Sequence, residues 1–186
     1  TTSFTASYGI FVQLGRVNVG NVLGNQVGSS DPNERMELNG DSYGIRTTST
    51  SVVNISNNTI NNLTTAPNVP AGEFYWGMSV EGAAGSHTVV NNTITNISNG
   101  AIPDVPGNFN SQTIGLQVSA TGAQTVRGNV ISNIANTSTP APTGLNNRVW
   151  GVILSATGAG TVFDSNRVSG VTGSSAGAGA RADVIT

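Results

Sequence analysis

Carboxylates are the side chains of this sequence best suited to chemistry, because glycoside hydrolysis needs two of them flanking the scissile bond. Glu81 lies in a segment that alternates apolar and polar residues, and the matching positions of the neighbouring repeats hold Thr48 and Ser119. A second carboxylate is therefore missing where a hydrolase would need it. We expect Arg46 to form an exposed ion pair with Glu81, worth about 0–1 kcal/mol, and we assign no catalytic residue.

A lyase would need several acidic Ca²⁺ ligands and a base that removes an α-proton, but the chain has no lysine and no acid cluster within its repeats. The stretch "DPNERMELNGD" could offer Asp31, Glu34 and Asp41 to Ca²⁺. It lacks the regular D-x-D-x-D-G spacing, which favours a solvated loop. His87, the single histidine, has no evident partner and is expected to be exposed. We predict neither a metal nor a cofactor.

Charge is scarce in this chain and limits its partners. Charged residues make up 9% of the 186 residues, the net charge is −2 and there is no cysteine. Nucleic-acid binding is excluded because phosphate neutralisation needs clustered Lys and Arg, and no apolar run approaches the roughly 20 residues of a membrane span. The Asn-, Thr- and Gly-rich composition favours a secreted or cell-surface (extracellular) protein. The chain starts without Met and ends in a strand-like segment, so we expect a block of a longer chain.

Two markers repeat in step and indicate the elements that position these side chains. One is an apolar residue, Gly and a second apolar residue, centred on Gly9, Gly44, Gly77, Gly115 and Gly151. The other is Asn-x-Ile or a close variant, beginning at Asn21, Asn58, Asn92, Asn129 and Asn166, with spacings of 34 to 37 residues. Period-2 alternation after each Gly predicts a half-buried strand, and two shorter apolar segments complete each unit.

A unit of about 36 residues with three short strands cannot bury its apolar face alone, but it can when stacked on copies of itself. We predict an all-β solenoid, with residues 1–186 as one repeat domain and coils near 8–42, 43–75, 76–113, 114–149 and 150–186. Asparagines should stack at two corners, where the side-chain amides can bond from coil to coil. The first column is Asn58, Asn92, Asn129 and Asn166; the second is Asn25, Asn62, Asn96 and Asn133.

Four segments carry a resemblance to a known family: "GIRTTSTSVVNISNNTINNL", "GMSVEGAAGSHTVVNNTITNI", "GLQVSATGAQTVRGNVISNI" and "GVILSATGAGTVFDSNRVSGV". The chain resembles the parallel β-helix repeats of the pectin-lyase-like superfamily. The resemblance implies a single-stranded right-handed parallel β-helix of about five coils, with a Pro-containing loop in each coil. It leaves the function open, because the superfamily includes pectate lyases, polygalacturonases, phage tailspikes and adhesins.

The segments between coils are the candidate binding face, because insertions in repeat proteins often line one side. They span 28–42, 64–75, 98–113 and 135–149, and are expected to leave the stack at one corner. The alternative is that they only cover the sheet beneath them. The residues predicted for binding are Asp31, Glu34, Arg35, Glu73, Phe74, Tyr75, Asp104, Phe109 and Arg148.

Two functions from different classes follow from the sequence. The first is a non-catalytic structural or adhesive module of a secreted or cell-surface bacterial protein, with end-to-end self-assembly as a further expectation. The second is a carbohydrate-binding or polysaccharide-degrading β-helix. The expected partners are neighbouring copies or the rest of a parent chain at the ends of the solenoid, and glycans; neither nucleic acid nor a membrane is expected.

Overall fold

The computed structural model describes residues 6–31, 33–66, 74–82, 85–100, 111–137, 148–173 and 181–183. Within these residues the chain forms seventeen β-strands and no helix. The strands are β1 (Ser7–Val12), β2 (Val17–Gly20), β3 (Gln26–Gly28), β4 (Met36–Leu38), β5 (Ser42–Thr47), β6 (Val53–Ser56), β7 (Thr59–Thr65), β8 (Phe74–Val80), β9 (Thr88–Val90), β10 (Thr93–Asn99), β11 (Gln112–Val118), β12 (Thr125–Arg127), β13 (Val130–Asn136), β14 (Arg148–Leu154), β15 (Val162–Asp164), β16 (Arg167–Gly173) and β17 (Arg181–Asp183).

Every strand pairs in parallel with its equivalent in the next coil, which gives three sheets along one axis. The first sheet has the order β1-β5-β8-β11-β14-β17, the second β2-β6-β9-β12-β15 and the third β3-β7-β10-β13-β16, with β4 also paired to β7. Equivalent residues of successive repeats are direct partners, as in Ile94 with Ile60 and Ile131. The prediction of an all-β solenoid of stacked parallel strands is confirmed.

The solenoid makes about four turns, whereas the sequence predicted about five coils. The five long strands β1, β5, β8, β11 and β14 delimit four returns to the first sheet. The difference arises because five copies of a marker bound only four intervals. The path from β14 to β17 runs partly through residues outside the described ranges.

The two markers of the sequence meet inside the core. At Gly44, Gly77 and Gly115 an added Cβ would lie under 3.0 Å from the Cγ2 of Ile60, Ile94 or Ile131, and real Cβ atoms essentially never approach so closely. Each of these three glycines therefore lies against the Ile two residues after the repeated Asn, and Gly9 and Gly151 lie against Val27 and Val168. Because glycine has no side chain, the first sheet can approach the third sheet at this position. This contact explains why the Gly marker and the Asn-x-Ile marker repeat with the same period.

The core consists of apolar columns that run through all three sheets. The inward residues of the central coils are fully buried, and they are accompanied by a smaller polar set that includes the marker asparagines. The fully buried apolar residues of the central coils include Ile45, Ile55, Ile60, Met78, Val80, Val89, Ile94, Ile97, Leu116, Val118, Val126, Ile131 and Ile134. Such close-packed columns make each coil dependent on its neighbours for burial.

One predicted loop contains a strand. Residues 28–42 were expected to be a single loop, but Met36–Leu38 form β4, which pairs with β7 in register with Leu63–Thr65. Gly28, at the end of β3, also pairs with β7, at Asn61. Residues 29–31 and 33–35 therefore bulge out of the third sheet, opposite the single residue Asn62 of the next coil.

Candidate functional site

The first asparagine column forms a continuous hydrogen-bonded ladder inside the solenoid. The Asn58 side-chain amide donates to Oδ1 of Asn92 at 2.9 Å, Asn92 to Asn129 at 3.0 Å and Asn129 to Asn166 at 2.8 Å. The same Oδ1 atoms accept the backbone N–H of the preceding rung at 3.0 Å. Asn58, Asn92 and Asn129 are at most 1% exposed, so the ladder satisfies polar groups that would otherwise be buried without partners.

The first coil joins this ladder through Asn25, which the sequence analysis placed in the second column. The backbone N–H and Nδ2 of Asn25 donate to Oδ1 of Asn58 at 3.0 and 2.9 Å. Asn21, which begins the weak marker of the first coil, has a φ of 102° and accepts a hydrogen bond from the Asn57 side chain through its carbonyl oxygen. The asparagine that forms the first rung, Asn25, therefore lies four residues after Asn21, where the repeated motif appears to begin.

The second column lies on the outer surface of the third sheet. Asn62, Asn96 and Asn133 have φ angles of 54–56°, a region that asparagine tolerates better than most residues. Nδ2 of Asn96 donates to Oδ1 of Asn62, and Nδ2 of Asn133 to Oδ1 of Asn96, both at 3.0 Å. The fourth rung is Gly170, with a φ of 63°. The left-handed turn, rather than the amide, is the feature that all four rungs share.

A third ladder, which the sequence analysis missed, contains His87. Its imidazole Nδ1 accepts the backbone N–H of Val53 at 3.1 Å, and the backbone N–H of His87 donates to Oε1 of Gln124 at 3.0 Å. The N–H of Gln124 in turn donates to Oγ1 of Thr161 at 3.2 Å. His87 is 1% exposed, so the expectation that it is exposed was wrong. Burial lowers the pKa of the imidazole.

Aromatic side chains stack along the outer face of the first sheet. Tyr8 and Tyr43 have ring centroids 5.3 Å apart, and Tyr43 and Trp76 lie 4.4 Å apart with nearly parallel planes. The indole N–H of Trp76 donates to Oε1 of Gln117 at 2.7 Å. The rings therefore lie against each other along the axis, which limits their use as a platform for a ligand. Burial raises the pKa of Tyr43 to about 12.

The one acid on this face that the sequence singled out is held by its neighbours. Arg46 donates to both carboxylate oxygens of Glu81, at 3.1 and 2.9 Å, and Ser79 donates to Oε1 at 2.7 Å. The guanidinium also lies 4.5 Å from the ring centroid of Tyr43. Burial opposes the charge of Arg46, but its hydrogen bonds and attraction to Glu81 more than offset this, so its pKa is raised. An acid held in this way is poorly placed to transfer protons.

A polar groove of about 280 Å³ lies on the outer face of the third sheet. The bulge of residues 29–31 and 33–35 contributes Arg35 to the wall at one end, and Nδ2 of Asn62 holds the bulge by donating to the carbonyl oxygens of Ser29 and Asp31 at 2.8 Å. Oδ1 of Asp31 also accepts the backbone N–H of Asn33 at 2.9 Å. The lining residues are Arg35, Asn62, Thr64, Asn96, Ser98 and Asn133.

The residues predicted for a loop binding face are distributed over different parts of the fold. Asp31, Glu34 and Arg35 belong to the bulge on the third sheet, whereas Phe74 and Arg148 begin strands of the first sheet. Tyr75 is 1% exposed and its hydroxyl donates to the carbonyl oxygen of Leu38 at 2.9 Å, so it is part of the core. The predicted residues Glu73, Asp104 and Phe109 lie outside the described residues.

The first of the four predicted loops leaves the stack at a separate place. It bulges from the middle of the third sheet at Asn62, whereas the described ends of the other three lie between the third and first sheets. The binding role of these segments remains a prediction.

A metal site or a membrane span would require converging ligands or a long apolar helix in the described part of the chain. No three His, Asp or Glu side chains converge there in a way that could hold a metal ion. Asp31 and Glu34 instead bond within their own bulge, Glu34 through Ser29 at 3.1 Å. The same residues contain no helix that is long and apolar enough to cross a membrane.

No protein-family model, curated protein or solved structure matches the chain. The resemblance to the pectin-lyase-like superfamily therefore depends on the repeat pattern alone. The geometry establishes a parallel β-solenoid.

Proposed function

We propose that this chain is a non-catalytic structural and adhesive module, a rigid β-solenoid segment of a secreted or cell-surface bacterial protein. The asparagine ladder from Asn25 to Asn166 is the observation that carries the proposal. A chain that repeats a buried amide contact in every coil has been shaped by the requirement to stack. Charged residues make up only 9% of the chain, and the acid Glu81 is occupied by Arg46 and Ser79.

The ladder has a direction, which supports association through the ends. In each rung the earlier coil donates and the later coil accepts through Oδ1. Among the described residues, Oδ1 of Asn25 accepts no hydrogen bond and the backbone N–H of Asn166 donates none. One end of the solenoid therefore offers the acceptor that the other end needs, so its neighbours would be second copies or further coils of a parent chain, joined head to tail.

Light scattering combined with small-angle scattering over a concentration series tests this proposal. We expect the mass to grow in multiples of the 18.8 kDa chain and the particles to lengthen at constant cross-section. The variant Val22→Lys/Leu23→Lys should remain monomeric, because these first-coil side chains are 83% and 96% exposed and lysine blocks edge pairing. Val130→Lys, on the side of the third sheet, is the matched control and should still associate.

Two results would contradict the proposal. A mass that stays at one chain at every concentration would show that the ends do not join copies. Measurable turnover of a polysaccharide would show that the module is catalytic. The alternative function, carbohydrate binding, is favoured by one specific observation, which is the polar groove on the third sheet.

A further inference from the structure

The groove on the third sheet has no part in the stacking role. Its lining contains five amide or hydroxyl side chains and one guanidinium, with no aromatic or aliphatic side chain. A nucleobase or an apolar ligand would need such side chains for stacking or burial. A ligand that fits this lining must itself be rich in hydroxyl groups. The volume of about 280 Å³ lies near the lower end of the range for small-molecule sites.

One end of the groove supplies positive charge. The Arg35 side chain is 64% exposed, and its closest acid in the described residues is Glu37, with the two side chains 3.9 Å apart. This pair is too long for a hydrogen bond and leaves the guanidinium donors available. A planar guanidinium binds a carboxylate through two parallel hydrogen bonds. The backbone of the wall that carries Arg35 is held by the Asn62 amide, which donates to the carbonyl oxygens of Ser29 and Asp31.

The other end of the groove supplies an acceptor. The amides of Asn62 and Asn96 are bonded within the ladder, but the next rung after Asn133 is Gly170, which has no side chain to donate. Oδ1 of Asn133 therefore accepts no hydrogen bond among the described residues, and it lies next to Gly170, where an added Cβ would be 2.7 Å from it. Asn62 and Asn133 are two rungs apart, or about 10 Å at the usual strand spacing. The hydroxyls of Thr64 and Ser98, which also line the groove, are hydrogen-bonded to each other at 2.9 Å.

We propose that this groove binds one carboxylated sugar residue, with the carboxylate on Arg35 and ring hydroxyls donating to Asn133. This ligand satisfies the cation at one end and the acceptor at the other, and its remaining hydroxyls face Thr64 and Ser98. The site would give the module an adhesive surface on its side, separate from its ends. The inference goes beyond the scaffold role and does not depend on it.

Titration of the ¹⁵N-labelled chain with glucuronate, glucose and inorganic sulfate tests the proposal. Glucuronate should cause saturable shifts in the side-chain amide signals of Asn62, Asn96 and Asn133. Arg35→Gln should weaken binding at least tenfold. Arg127→Gln, which removes an exposed arginine of the second sheet, should leave it unchanged. Asn133→Gly reproduces the natural rung Gly170, so it should keep the fold while weakening glucuronate binding several-fold.

The outcomes separate this proposal from the scaffold proposal. Equal affinity for glucose and glucuronate would overturn the role of Arg35, and equal shifts with sulfate would reduce the site to a non-specific anion contact. The absence of saturable shifts with glucuronate would overturn the site altogether. None of these results would change the mass measured by scattering, on which the scaffold proposal depends.

Discussion

At the residue scale, hydrogen-bond direction explains why particular polar side chains are buried in this solenoid. Asn, His, Gln and Thr all occur in ladders in which a side-chain atom accepts a backbone N–H from the preceding coil. The shared requirement is an acceptor at a fixed position, since a buried N–H without a partner costs about 1–3 kcal/mol. Single substitutions can therefore test the buried acceptor of Asn92 and the titratable imidazole of His87 separately.

His87 should make folding stability depend on pH. Its buried Nδ1 accepts a hydrogen bond, and Nε2 has no partner among the described residues, so protonation disrupts the site. Because burial lowers its pKa below 6.5, the unfolded chain binds more protons. Stability should be complete above about pH 6.5 and decrease below it, by at most about 1.4 kcal/mol per pH unit.

The measurement for His87 is urea unfolding between pH 4.5 and 8 for the natural chain and for His87→Gln. Gln124 occupies the next rung of the same ladder, so glutamine can accept the Val53 N–H without titrating. The carboxylates are common to both proteins and cancel in the difference. Parallel pH profiles for the two proteins would contradict the prediction.

Asn92 should be far less tolerant than Asn133, although both are ladder asparagines. Asn92→Ala removes two donated and two accepted hydrogen bonds from a position that is 0% exposed. We expect the free energy of unfolding to fall by about 3–5 kcal/mol. Asn133→Gly, at an exposed left-handed position, should cost less than about 1 kcal/mol. Equal losses in urea unfolding would show that the two columns are equivalent.

At the element scale, the repeated glycine determines how closely two sheets approach. Gly115 lies in β11, and a Cβ there would meet Ile131 Cγ2 and the carbonyl oxygen of Gly151. The contact with Ile131 is across the core, and the contact with Gly151 is with the adjacent strand β14. A methyl group at Gly115 would therefore push the first sheet away from the third sheet and push neighbouring coils apart.

Gly115→Ala should reduce the free energy of unfolding by about 1–3 kcal/mol, as expected for an overpacked core. In the Ile131→Ala background the loss should be smaller by at least about 0.5 kcal/mol, because the clashing methyl group is absent. Gly100→Ala is the control, since its nearest atom would be Thr137 Oγ1 at 3.3 Å. Strict additivity of the two substitutions in chemical unfolding would argue against a Gly–Ile contact.

The repeat pattern in the sequence was sufficient to predict the stacked parallel strands, because period and alternation are local properties. Register in the first coil was not predictable in the same way. The motif at Asn21 resembles the Asn-x-Ile marker, but it is Asn25 that makes the contact with Asn58. Only the pairing between coils shows which of the two asparagines joins the ladder. His87 was misplaced for the same reason, since its partners Val53 and Gln124 lie in the neighbouring coils.

The groove could not be predicted from the sequence either. The sequence pointed to Arg35 as a candidate within a loop. It did not show that β4 resumes pairing with β7, so that residues 33–35 leave the sheet and Arg35 becomes a wall of the groove. Nor could it show that Gly170 ends the outer ladder and leaves Asn133 with an open acceptor.

At the scale of the whole molecule, stability should vary from coil to coil. Each coil contacts only its neighbours, so among the described residues the first and last coils have one interface where central coils have two. Burial follows this pattern: Ile94 and Ile131 are fully buried, whereas the equivalent Val168 in the last coil is only partly buried. Folding and association are then linked, because a copy stacked on an end would supply the missing interface.

Hydrogen exchange followed by mass spectrometry should therefore show two effects. At low concentration, amides of β7, β10 and β13 should exchange most slowly, and those of β2 and β16 faster, through local opening. At concentrations where scattering detects association, β2 and β16 should gain protection while the central strands change little. The variant Val22→Lys/Leu23→Lys should lose this gain. Uniform protection at low concentration would instead indicate one cooperative unit, and protection independent of concentration would show that the ends remain uncovered.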